Sequence, residues 1–379
     1  MGVCQRTQSW RLAVVVGTVV VAAATLVPDV GSAAASRPTA EPQGSLSAVS
    51  ADSSTDAWAV GSAGIWPAAV HWDGATWGRP IALHVDGDLV AVDAVSPRDA
   101  WAAGTSYGVS GKGSTVIEHW DGAAWTRTPS VDPGGRFGTD LYGISATSAT
   151  DAWAVGDYAI DKRGTYDTLI EHWDGSAWSQ VPSPNPGGKH QNFLWAVTAI
   201  SSTDAWALGT YGTHNANVRT SMILHWDGTS WTKVSDAPLG PNVDLQALSA
   251  SSATDVWAVG VDTRGAFAVH WDGTAWKRVG VPGGDKVNLV SVSAATPSQA
   301  WAVGSVHRQG AWRTATFHWD GAGWAAVDSP SPGGNRDSEL SGVAAISDSL
   351  ALAVGDYYSA HFHDNPLTLT WDGQSWSQP

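Results

Sequence analysis

The sequence predicts an all-β fold, a seven-bladed β-propeller with four antiparallel strands per blade and repeats running A-B-C-D in one phase. Two recurring motifs and their period predict it. The first is an apolar stretch closed by glycine, Asp151-Ala152-Trp153-Ala154-Val155-Gly156. Its glycine returns at Gly61, Gly104, Gly209, Gly260, Gly304 and Gly355. The second is Trp173-Asp174-Gly175-Ser176-Ala177-Trp178, whose first Trp returns at Trp72, Trp120, Trp226, Trp271, Trp319 and Trp371. Successive repeats, counted from Leu46, Leu89, Leu141, Leu194, Leu245, Leu289 and Leu340, lie 43 to 53 residues apart. A unit of about 40–50 residues holding several short strands is a propeller blade.

Ahead of the repeats, Arg6 and Arg11 precede an apolar run from Leu12 to Val27, followed by Ala33-Ala34-Ala35. The run is short for a membrane span and suits a signal-peptide core with a small-residue cleavage site, an uncleaved membrane anchor being the alternative. Residues 1–35 are therefore expected to be a signal peptide, residues 36–45 a flexible lead-in, and residues 46–379 the propeller. The single cysteine, Cys4, lies in the leader, so the exported chain has neither thiol nor disulfide. The expectation is a secreted, extracellular protein with no membrane span in the mature chain, held by packing and monomeric.

In the third repeat, strand A is expected at Leu141 to Ala146, B at Ala152 to Gly156, C at Thr168 to Trp173 and D at Trp178 to Val181. Strand B places Ala152 and Ala154 on one face and Trp153 and Val155 on the other. A small face opposite a bulky one lets neighbouring blades interdigitate. Asp-Gly between C and D marks a hairpin, with Gly supplying positive φ. The two Trp flanking that turn should oppose each other across the hairpin. Blade seven departs from the pattern: Leu352 replaces the strand B Trp, Ser349 the usual Asp, and Thr370 the usual His. Blades one and seven are expected to meet by side-chain packing, because no orphan strand precedes Leu46 to complete a shared blade.

A hydrophobic strand ending in Gly, an aromatic-Asp turn and a Trp shortly after together resemble the Kelch repeat and the central propeller of galactose oxidase. The resemblance covers about residues 46–379. Kelch repeats usually carry a double Gly, whereas Ser62 follows Gly61 and Asp157 follows Gly156. The Kelch Tyr-Asp-Pro turn stands here as Trp-Asp-Gly. The resemblance implies the fold; Kelch propellers serve many roles. Oxidase chemistry of the galactose oxidase type needs a Cys cross-linked to Tyr, which the mature chain lacks. The turn is also similar to the sialidase Asp box, though its spacing differs and no Arg triad accompanies it.

Charge narrows the function. A net charge of −15 opposes nucleic-acid binding, which needs a basic face. Twenty of the 24 Trp occupy repeat positions and read as inter-blade core; Trp66, Trp195 and Trp312 break the period. His71, His119, His172, His225, His270 and His318 each precede a strand C Trp, and spread round a ring they cannot converge on a metal. Pairing with the A–B turn Asp of the same blade is the expectation, with Gln299 in place of that Asp in blade six. His361, His363 and Asp364 come nearest to a metal set, without a second cluster to complete the coordination. No cofactor and no catalytic residue is assigned.

The strand order puts A–B and C–D turns on one face and B–C and D–A loops on the other. The second set varies in length and chemistry, as binding loops on a rigid frame do. Its candidates are Tyr158, Arg163 and Tyr166 in blade three, and His190, Tyr211, Asn215 and Arg219 around blade four. Arg308, Trp312 and Arg313 follow in blade six, and Tyr357, Tyr358 and His361 in blade seven. Aromatics mixed with amide and cationic groups suit a glycan or an extracellular protein surface. The expected function is a non-catalytic binding propeller; a polysaccharide-active hydrolase or lyase and a structural envelope protein are the alternatives. A hydrolase needs two carboxylates at catalytic spacing, for which Glu339, Asp157, Asp161, Asp356 and Asp364 are available on that face.

Overall fold

The computed structural model describes residues 43–83, 85–108, 111–212, 219–234, 239, 243–359 and 363–378, the side chain of Arg219 excepted. The expected leader, most of the lead-in, Asn215 and His361 lie outside them. Among the described residues, 28 strands form seven four-stranded antiparallel sheets, each in the order A-B-C-D. Blades one to seven span residues 44–82, 87–127, 139–180, 192–233, 244–280, 287–327 and 338–377. Two 3-10 turns, Gly135–Phe137 and Gly284–Lys286, are the helical exceptions. No helix among the described residues is long and apolar enough to cross a membrane.

In blade three the strands are Thr139–Ser148, Asp151–Ala159, Tyr166–Trp173 and Trp178–Gln180. Strand B does not stop at Gly156 as the sequence implied; it runs three residues further, with Asp157 and Tyr158 paired on both sides and Ala159 paired with Tyr166 of strand C. Gly156 is there because a Cβ would collide with the carbonyl oxygen of Asp140 on strand A. The same collision excludes a side chain at Gly61, Gly104, Gly209, Gly260, Gly304 and Gly355. Beside each of these glycines strand A carries a bulge. In blade three, Leu141 pairs with Gly156 and Gly143 with Val155, leaving Tyr142 as the extra residue. A bulge leaves one residue unpaired and re-aims its side chain.

The seven strands A pack against one another right round the ring, the first against the last, and so enclose the central channel. Hydrogen bonds link them from blade to blade. Ser50 Oγ donates to Asp93 Oδ1 at 2.9 Å, and the Ala146 N–H donates to Asp93 Oδ2 at 2.7 Å. Ser145 Oγ in turn accepts the Ala199 N–H at 3.1 Å. Asp93 thereby joins blades one, two and three, and its burial pushes its carboxyl up to about 6.

Between blades, the strand B Trp of one meets the C and D Trp pair of the next. Trp153 packs 5.0 Å from Trp226 and 5.2 Å from Trp231, ring centroid to centroid. Blades one, two, four, five and six repeat the arrangement through Trp58, Trp101, Trp206, Trp257 and Trp301. On its other side each indole carries the histidine of its own blade; His172 sits 4.3 Å from Trp153. The expected Asp–His pairs form in blades one to five, at 2.5 to 2.8 Å between Nε2 and Oδ1. In blade six Gln299 instead donates to the Ser347 carbonyl of blade seven at 2.8 Å.

The seventh contact, between blades seven and one, closes the ring by side-chain packing, as the phase of the repeats implied. Leu352, Val354 and Ala344 join Leu46, Val49, Ala57 and Trp72 in one cluster. With Trp, His and Asp replaced by Leu352, Thr370 and Ser349, a cleft of about 900 Å³ opens there, lined by Ser349, Thr370, Trp72 and Ser54 among others.

Candidate binding face

Because strands A and C run one way and B and D the other, the A–B and C–D turns share one face of the disc. This turn face is nearly uniform. Asp174 Oδ1 accepts the N–H groups of Ser176 and Ala177 at 2.8 and 3.0 Å, and Gly175 takes φ +89°. The other six C–D turns repeat these contacts. The Ser176 hydroxyl and the two N–H groups hold the Asp174 carboxyl down to about 2. These carboxylates are thus engaged by their own turns.

The opposite face carries the variation. Most of the residues that the sequence placed in its loops lie on strands instead, because the B–C hairpins are extended past the recurring glycine. Tyr158 is in strand B of blade three, half-buried against the cluster shared by blades two and three. Tyr166 opens strand C of the same blade, 5.4 Å from the ring of Phe193. Arg163 is exposed in the intervening turn, its N–H donating to Asp161 Oδ1 at 2.8 Å. His190 precedes strand A of blade four and donates its N–H to the Gly187 carbonyl at 3.1 Å. Tyr211 lies in strand B of that blade with Lys233 Nζ 5.2 Å from its ring centre, and Arg219 opens strand C.

A second group gathers at blades six and seven. Arg308 ends strand B of blade six and is exposed; the Trp312 ring lies 5.3 Å from that of His307. Arg313 Nη1 donates to the Arg336 carbonyl at 3.5 Å. Asp337 ties the two blades, accepting the Trp312 N–H on Oδ1 at 2.8 Å and the Tyr358 N–H on its carbonyl at 2.9 Å. A small cleft of about 230 Å³ lies here, lined by Gly310, Asn335, Asp337 and Tyr358 among others. Tyr357 is half-buried against the blade six–seven cluster, and Tyr358 is exposed beside Asp364. Burial, then the charges of Asp364, Glu339 and Asp337, push the Asp356 carboxyl up to about 7. Among the described residues, His363 and Asp364 included, no three potential metal ligands come together.

The most developed arrangement is one the sequence reading did not assemble. The bulge residues Tyr142 and Trp195, from blades three and four, lie 5.0 Å apart. Phe193 stacks on Trp195 at 5.3 Å and 16°, and Tyr166 follows it. This half-buried aromatic row crosses the loop-face end of two strands A. Next to it, Asp140 and Asp157 stand directly opposite each other on strands A and B. Asp157 is only 1% exposed, and neither carboxylate oxygen makes a hydrogen bond of good geometry, the Tyr142 hydroxyl being the polar group that acts on it. Burial, with the neighbouring Asp140, holds its carboxyl well above the usual range. Burial and these two carboxylates also raise the hydroxyl groups of Tyr142 and Tyr166, and burial with Asp88 and Asp140 pushes Tyr107 up to about 12. One signal was legible: Trp195 is among the few Trp outside the repeat positions. The bulge that aims it was not, since a bulge is a property of register between two strands.

No protein-family model matches the chain. No curated protein matches it either. Solved structures match throughout the propeller. A structure described as YCF48 bound to D1 peptide is 16% identical, with TM-score 0.51, covering 79% of this chain and 82% of the other. The β-propeller domain of the Trilobed protease from Pyrococcus furiosus, described as having an open velcro topology, is 10% identical. Its TM-score is 0.55, over 90% of this chain and 96% of that one. The GH74 xyloglucanase from Xanthomonas campestris is 14% identical with TM-score 0.55, over 89% and 56% of the two chains. These likenesses establish the propeller fold.

Proposed function

We propose that this chain is a secreted, non-catalytic binding propeller whose loop face, centred on blades three and four, holds an extracellular protein segment. The observation that carries the reading is the aromatic row Tyr142–Trp195–Phe193–Tyr166. Aromatic side chains supply much contact area at little conformational cost, and they concentrate at interfaces. Here they lie on the variable face and belong to no repeat position. A similar propeller fold, that of YCF48, is described with a peptide bound, which agrees with a peptide ligand. The Kelch resemblance lends fold to this reading and no particular partner.

A hydrolase has one feature in its favour, the facing carboxylates Asp140 and Asp157. With Asp157 1% exposed, a sugar cannot reach both, and binding remains the better account. The test is selection from a displayed peptide library on the intact protein, beside a glycan array. Enrichment of a peptide motif whose binding is lost in Trp195→Ala supports the reading. Glycan hits alone, or enriched peptides indifferent to Trp195→Ala, contradict it.

A further inference from the structure

Two like charges placed directly opposite on neighbouring strands destabilise a sheet. The same pair of positions, one on strand A and one on strand B, holds Ser45 and Ser62 in blade one, Asp88 and Thr105 in blade two, and Phe193 and Thr210 in blade four. Blades five and six hold Asp244 with Val261 and Asn288 with Ser305. Only blades three and seven hold two acids, Asp140 with Asp157 and Glu339 with Asp356. In blade seven the charged groups acting on Asp356 are carboxylates, but Asp356 is only half-buried. In blade three the charged groups acting on Asp157 and Asp140 are other carboxylates. Asp157 is buried with no well-formed hydrogen bond to either oxygen and only the Tyr142 hydroxyl acting on it, which is costly in a folded protein without further compensation.

The surroundings state what would compensate it. Tyr107, Tyr142 and Tyr166 lie close enough for both or one of these carboxylates to act on their hydroxyl groups. Trp195 and Phe193 extend the aromatic surface. Faces of aromatic rings attract cations, and do so more strongly when the cation is desolvated. Anionic oxygens beside aromatic faces form a receptor for an organic ammonium or guanidinium group.

We propose that the channel mouth over blades three and four is a cation site that takes a lysine or arginine side chain of the bound segment, against Asp140 and the rings of Tyr142, Tyr166 and Trp195, with Asp157 as the buried carboxylate behind them. The assignment rests on the binding function proposed above and names the chemistry of what is bound. Asp140, half-buried, is the carboxylate that an entering cation meets first; Asp157 lies behind it. The acidic balance of the chain as a whole favours such a partner's approach.

The test uses the full chain labelled with 5-fluorotryptophan, with the Trp195 resonance identified through Trp195→Phe. N-acetyl-lysine amide and N-acetyl-arginine amide are titrated against it, with Nε-acetylated lysine and norleucine amides as neutral controls. Saturable movement of the Trp195 signal by a cationic amide and not by the neutral ones is expected. Asp140→Asn should weaken that response by about tenfold or more, the loss that goes with one charge-assisted contact. Asp157→Asn is read in parallel, and Asp140→Asn decides if that variant does not fold. No movement with either cationic amide, equal movement with the neutral amides, or an unchanged response in Asp140→Asn overturns the assignment. If selected peptides bind through Trp195 while the cationic amides do nothing, the cation site falls and the binding function stands. If the amides bind and no peptide is ever selected, the reverse holds.

Discussion

The indole of Trp153 lies 5.0 Å from that of Trp226 in the next blade, tilted by 57°. It therefore belongs as much to its neighbour as to its own sheet. Trp153 is 1% exposed and is flanked on its other side by His172. Replacing it with Ala removes both the burial and the contact that locks two blades. Trp153→Ala is expected to cost about 3–5 kcal/mol, as large-to-small core changes do. Urea unfolding followed by far-ultraviolet circular dichroism measures it; an unchanged midpoint would count against this packing.

The contact between blades seven and one should be the weakest in the ring. Six contacts have a strand B Trp; here Leu352 stands in its place beside Trp72, next to the open cleft. Native-state hydrogen exchange is expected to show the strands of blades one and seven opening at lower free energy than those of blades three and four. Leu352→Ala should lower stability by about 2–5 kcal/mol and widen that difference. Uniform protection round the ring would show that closure needs no more explanation than any other contact.

Acidity should stabilise this protein over part of its range. Burial raises Asp93 to about 6 and Glu171 and Asp356 to about 7, against ordinary values of 3.8, 4.5 and 3.8. Between the ordinary and the raised values the folded state binds more protons than the unfolded one, so stability falls as pH rises through that window. The contribution is fully present below the ordinary values and gone above the raised ones. Melting temperatures from about pH 4 to 8 are expected to decline through the window. The triple variant Asp93→Asn, Glu171→Gln, Asp356→Asn should flatten the decline. Equal slopes in the two proteins would remove these three groups from the account.

Much of this was legible beforehand. Seven blades, the Asp-Gly turns, five Asp–His pairs and closure by packing all follow from spacing, because each is set by residues within one repeat or by its phase. Other features depend on relations that no single strand displays. Gly156 looked like a strand end because glycine usually weakens strands; in fact it marks close approach to Asp140, and the strand continues. That misreading put Tyr158 and Tyr211 in loops when they are paired in the ladder. Asp93 carries no local signal, as its partners Ser50 and Ala146 lie in the blades on either side. Tyr142 and Trp195 come together only because two bulges in neighbouring blades turn their side chains alike.

The two faces of the disc should answer differently to mutation. Trp312→Ala and Tyr211→Ala, on the variable face, are expected to leave the melting curve near that of the parent, since both rings are only partly buried. Asp174→Ala and Asp227→Ala remove the carboxylates that organise two turns of the uniform face. Any effect of these two should appear in stability, measured by thermal melting, and not in recognition. Loss of binding with a normal melting curve in Asp174→Ala would move the binding function to the turn face.

The most direct measurement is the dissociation constant of a selected peptide, by isothermal titration, for the parent protein, Tyr142→Ala, Trp195→Ala and Asp174→Ala. The account predicts at least about a tenfold loss for each of the first two variants, as for anchoring aromatics at an interface, and parental affinity for Asp174→Ala. Parental affinity in both Tyr142→Ala and Trp195→Ala would contradict a binding centre on blades three and four.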